Sequence, residues 1–71
     1  MSMTKETATF IHGVTYMALD GIQWEDDVEA VFERVIEEYG LADDDEETDH
    51  QREIASKTIL AIYDLTKELA R

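Results

Sequence analysis

Between residues 24 and 39, apolar side chains return every three or four positions: Trp24, Val28, Val31, Phe32, Val35, Ile36 and Tyr39. That recurrence matches the turn of an α-helix and lays the seven side chains on one stripe. A helix with a single apolar stripe must bury it against other elements, so this stretch demands a core built around helices. The opposite face is equally constrained. Glu25, Glu29, Glu33 and Glu37 stand four residues apart, with Asp26 beside them on the helical wheel. They form a ladder whose steps rise ~6 Å at 1.5 Å per residue. Like charges at this spacing oppose a helix by roughly 0.2–0.5 kcal/mol per pair. A surface that only had to stay soluble would mix signs along the same face.

The spacing predicts a helix over residues 21–39. Asp20 and Gln23 have the separation of a capping box, Asp26 and Asp27 sit where the helix dipole favours acids, and Gly40 is placed to end the helix. A first helix is predicted over 4–19, with Thr4 as its N-cap and Asp20-Gly21 as its stop. Its stripe is Phe10, Ile11, Val14, Met17 and Ala18. Thr7, Thr9, Ile11, Val14, Thr15 and Tyr16 favour strands, and Gly13 weakens a helix by about 1 kcal/mol relative to Ala. A β-hairpin over residues 7–24, giving an α+β fold, is therefore the competing reading. Residues 7–19 hold no Asp, Glu, Lys or Arg, and His12, Tyr16 and Leu19 lie opposite the main stripe. A helix uncharged on two faces is expected to be covered on both, here by another partner or, most simply, by a second copy.

Residues 40–48 read as an acidic loop, closed by Thr48 and Gln51 as a second capping box. The third helix is predicted over 49–71. Ile54, Thr58, Ala61, Ile62, Leu65 and Leu69 form its stripe, Ala55 and Ile59 flank it, and Lys67 and Arg71 complement the dipole at its end. Leu60 and Tyr63 fall off the stripe and join His12, Tyr16 and Leu19 as candidate self-association residues. The expected fold is all-α: one domain over residues 1–71, an antiparallel three-helix arrangement assembled as a homodimer.

Composition narrows the function. Residues 25–49 carry thirteen of the eighteen acids and a single base, Arg34, so this stretch alone bears the formal charge of −12 of the whole chain. That excess repels nucleic-acid backbones and anionic membranes, and no apolar run reaches the ~18–20 residues of a membrane span. The first residues lack the basic and long apolar regions of a signal peptide, which with the absence of Cys is compatible with a cytoplasmic protein. Without Cys there is no disulfide, thiolate nucleophile or zinc-thiolate site. A chain of 71 residues buries only about 60% of its unfolded surface, which favours oligomerisation.

Motifs for chemistry are sparse. No nucleophile elbow, phosphate loop or zinc signature is present, so no enzymatic activity, cofactor or metal is expected. From Asp43, acids fall at positions 1, 3, 5 and 7 of a calcium-like loop. Thr48 stands where glycine is required and Ile54 where a bidentate Glu is required, which argues against that site. What remains is a carboxylate array: Glu25, Asp26, Glu29, Glu33 and Glu37, continued by Asp43, Asp44, Asp45, Glu46, Glu47 and Asp49. Such an array suits the lysines and arginines of a basic protein surface and can occupy a groove made for phosphates. In size and charge the chain is similar to small acidic proteins with which viruses and mobile elements inhibit host nucleic-acid enzymes. The expected function is a DNA-mimic-like inhibitor or modulator of a basic partner. An assembly protein whose acidity only maintains solubility, and an immunity protein or antitoxin against a basic toxin, are the alternatives.

Overall fold

The structure, a computed structural model, describes residues 3–70. Three helices account for most of them: α1 (Lys5–Gln23), α2 (Val28–Tyr39) and α3 (Glu46–Leu69). No strand occurs among the described residues, so the hairpin over 7–24 does not form. The strand-favouring residues of α1 are accommodated by local bonds and by packing. The Thr4 hydroxyl caps the helix by accepting the Thr7 N–H at 3.1 Å, and the Thr9 hydroxyl donates to the Lys5 carbonyl at 2.9 Å. Phe10, Val14, Ala18 and Gly21 are buried at helical spacing, and that burial outweighs β-propensity.

The expected break at Asp20-Gly21 is also absent. The helix continues to Gln23 because Gly21 serves helix packing and not a turn. A Cβ on Gly21 would collide with Val31 Cγ2 of α2 and stand 3.0 Å from the Tyr63 hydroxyl of α3. The stop comes later, as a Schellman motif: Asp26 N–H donates to the Gly21 carbonyl at 2.8 Å and Glu25 N–H to that of Ile22 at 3.1 Å. The left-handed position of this motif is held by Glu25, at φ 60°. A second Schellman turn ends α2 in the same way. Gly40 takes the left-handed position at φ 64°, and Leu41 N–H donates to the Ile36 carbonyl at 2.9 Å.

Two caps differ from expectation. Asp27, not Asp20, caps α2, accepting the Ala30 N–H at 2.8 Å. Asp45, not Thr48, caps α3, accepting the Thr48 N–H at 2.7 Å. Thr48 lies within the first turn of α3 and is buried. The predicted bounds 21–39 and 49–71 therefore shift to those above; Arg71 lies outside the described residues.

The core is small: Phe10, Val14, Ala18, Val31, Val35, Leu41, Ala55 and Ile59. The Phe10 and Tyr39 rings meet edge to face at 5.0 Å, with the Tyr39 hydroxyl over Gly13. Trp24, expected in the stripe of the second helix, stands 69% exposed at the end of α1. On α3 the centre of the buried face is Ala55 and Ile59, while Ala61, Leu65 and Leu69 of the expected stripe are exposed. The Cα envelope measures 39 × 28 × 14 Å. Its thin dimension is that of two helix layers at the usual interaxial distance of about 8–10 Å.

Candidate functional site

The acidic surface is built on α2 and the connection that follows it. Because α2 begins at Val28, Glu29, Glu33 and Glu37 share its outward face, and all three are exposed. Glu25 stands outside the helix in the Schellman turn, so the ladder has three rungs and not four.

The bases near this surface are turned to structural duties. Arg34 directs its guanidinium to Asp26 and, at 3.9 Å, to Asp20, tying α2 to the end of α1. Arg52, on α3, donates to the carbonyls of Leu41 at 2.6 Å and Asp43 at 2.8 Å, and pairs with Asp49 at 3.3 Å. The acidic connection is thus clasped at its backbone by an arginine whose role nothing in its local spacing announces. Lys57 pairs with Glu53 of its own helix.

The predicted carboxylates divide accordingly. Asp26 is half-buried, ion-paired, and offers its carbonyl to the Tyr63 hydroxyl at 2.7 Å, which makes it a structural pin. Asp45 is occupied as a cap. Its carboxyl is held below the usual carboxylate range by hydrogen bonds from the Thr48 backbone and then from the Thr48 hydroxyl. Asp49 is engaged by Arg52. Glu29, Glu33, Glu37, Asp43, Asp44, Glu46 and Glu47 are all exposed and make no ion pair or side-chain hydrogen bond among the described residues. They remain free to meet an external cation.

The apolar candidates do not gather in one place. His12, Tyr16 and Leu19 stand exposed on the outer face of α1. Tyr63 belongs to the fold's interior seam: burial first, then the charges of Asp26 and Asp27, raise its phenol above the ordinary value. Leu60, three residues before it, is exposed on that same flank of α3. Both fall off the stripe expected from the sequence; Leu60 is exposed, whereas Tyr63 is drawn inward because its hydroxyl reaches the Asp26 carbonyl and the buried face of α3 centres on Ala55 and Ile59.

Two further features bear on chemistry. A groove of about 270 Å³ opens between the starts of α1 and α3, lined by Thr4, Glu6, Thr7, Phe10, Glu47, His50, Gln51 and Ile54. No group of three or more His, Asp or Glu side chains is placed to hold a metal ion among the described residues, and no described helix is long and apolar enough to cross a membrane. Comparison with known proteins finds no matching family model, no similar curated protein and no similar solved structure.

Proposed function

We propose that this chain is a small acidic helical protein that binds a basic, nucleic-acid-binding protein and inhibits or modulates it, in the manner of a DNA mimic of phage or mobile-element type acting in the cytoplasm. The observation that carries this reading is the set of uncompensated carboxylates: Glu29, Glu33 and Glu37 on a rigid helix, continued by Asp43, Asp44, Glu46 and Glu47. The ladder rises ~6 Å per step, against about 3.4 Å per phosphate along one DNA strand. The likeness is therefore one of charge and linear order, not of register. In the arrangement we read, α2 runs against both α1 and α3. The pairs Gly13–Tyr39 and Gly21–Val31 support the first relation, and Leu41–Arg52 and Asp26–Tyr63 the second. This leaves the ladder facing away from the other two helices.

The test is capture from the native host on the immobilised chain, eluted with a salt gradient. Basic proteins should be retained, release with rising NaCl, and be displaced by duplex DNA, because each Lys or Arg contact is screened by salt. Replacing Glu29, Glu33 and Glu37 together by Gln should weaken retention of the same protein by at least tenfold. Retention that ignores both salt and the triple substitution sinks the proposal.

A further inference from the structure

Trp24 is the only tryptophan of the chain, and its large side chain stands 69% exposed at the end of α1. An isolated exposed apolar residue is ordinary; the setting of this one is not. Trp24 closes the last turn of α1, its N–H donating to the Asp20 carbonyl at 3.2 Å, so Asp20 lies one turn before it on the same side of the helix. Glu25 follows it directly in the left-handed position, and Glu29, the first rung of the ladder, comes five residues after Trp24. Trp24, Glu25, Asp27 and Glu29 are all exposed. Arg34, the single base of residues 25–49, is directed to Asp26 and Asp20. The indole pairs with no other ring among the described residues. An open aromatic face therefore stands among carboxylates at the end of α1 from which the acidic ladder continues.

We infer that Trp24 and Glu25 anchor one arginine of the basic partner: its guanidinium lies on the indole face and donates to the Glu25 carboxylate. This anchor presupposes the basic partner proposed above and names the side chain received at this end of the acidic array. Chemistry selects that occupant. A nucleobase would also stack on the indole, but its phosphates would meet Asp20, Glu25 and Glu29. An apolar groove or a lipid surface would bury the Glu25 carboxylate without a partner. A cation satisfies ring and carboxylate together, because the indole face carries partial negative charge. Arginine does so better than lysine: its guanidinium is planar, more weakly hydrated and forks to a carboxylate. The backbone agrees. The equivalent slot at the end of α2 holds glycine, whereas here a glutamate is kept in a left-handed conformation that strains it, and such strain gathers at binding sites. A carboxylate needed beside the indole accounts for that choice.

Calorimetric titration of the full chain with hexa-arginine and hexa-lysine peptides at 150 mM NaCl tests the anchor. Hexa-arginine should bind the more tightly, by about 2–5-fold, and should change the emission of Trp24 saturably. Trp24→Leu keeps an apolar side chain without a π-face, and should remove most of that preference while helical circular dichroism is retained. Trp24→Tyr should keep most of it. Glu25→Gln should weaken hexa-arginine by about 2–5-fold. Tyr16→Leu, at an aromatic residue 70% exposed on the uncharged part of α1, should change neither affinity. The triple Glu29, Glu33, Glu37→Gln variant should weaken both peptides alike and leave the arginine preference in place, which separates the anchor from the ladder. Equal affinity of the wild-type chain for the two peptides, a preference undiminished by Trp24→Leu, or one that Tyr16→Leu removes as well would each overturn the anchor. The peptide comparison needs no host protein, so its failure is distinct from a failure to capture a basic partner.

Discussion

Glu25 occupies a backbone position that a side chain normally avoids. With a φ of 60° it fills the left-handed slot of a Schellman turn, the slot that Gly40 fills at 64° at the end of α2. For a residue with a Cβ that conformation brings the Cβ close to the following carbonyl and costs roughly 1–2 kcal/mol, whereas glycine adopts it without the clash. The two turns are the same device executed with different residues. Glu25→Gly should therefore stabilise the fold by about 0.5–1 kcal/mol, reduced from the full strain by glycine's greater freedom in the unfolded chain. Gly40→Ala should destabilise it by a similar amount, because nothing crowds that Cβ and only the backbone objects. Urea unfolding followed by circular dichroism measures both. A Glu25→Gly variant no more stable than the parent would mean that the Glu25 side chain contributes enough to offset its strained backbone.

At the scale of the helices, what could be read from the sequence was whatever depends on local periodicity. Three amphipathic helices, the Thr4 cap and the Gly40 stop all follow from spacing and turn chemistry, and each is present. What could not be read depends on contacts between helices. Gly21 resembles a turn signal beside Asp20, yet it sits in a continuous helix because Val31 approaches its Cα. Asp27 and Asp45 were hidden among neighbouring acids, any of which can cap. Arg52 reaches eleven residues back to the Leu41 carbonyl, a contact that no period encodes. The acidic ladder was legible on its helix, and its Glu25 rung was lost with the displaced helix start.

The glycines of α1 give this argument a direct test. Either Gly→Ala change gains about 1 kcal/mol in helix propensity. At Gly21 the new methyl meets Val31, which is fully buried and cannot retreat. Overpacking of that kind costs typically 1–3 kcal/mol, so Gly21→Ala should be destabilising on balance. At Gly13 the methyl meets only the hydroxyl end of Tyr39, which is 40% exposed and can swing outward. Gly13→Ala should be neutral or stabilising. Equal effects at the two sites, measured by denaturant unfolding, would remove the close-approach explanation for Gly21.

Over the whole molecule, a thin core opposes an uneven charge. Among the described residues eight form the buried cluster, four of them Val or Ala on α1 and α2, while the free carboxylates follow one another along α2, the connection after it and the start of α3 in a body only 39 × 28 × 14 Å across. At 10 mM ionic strength the screening length is ~30 Å, so nearly every carboxylate feels every other; at 150 mM it is ~8 Å, and only neighbours do. Self-repulsion that the folded state concentrates is therefore relieved by salt. Taking relief of about 1 kcal/mol, a domain of this size should gain roughly 4–8 °C in Tm between the two conditions. The increase should shrink when Glu29, Glu33 and Glu37 are replaced by Gln, and the variant should already be more stable than the parent at low salt. Because salt also eases association between chains of like charge, the melts belong at a concentration where sedimentation finds the same mass in both buffers. Coincident midpoints under that condition would show that the carboxylates stand too far apart to repel. The ladder would then be a solvated surface, without the concentrated potential that a basic partner requires.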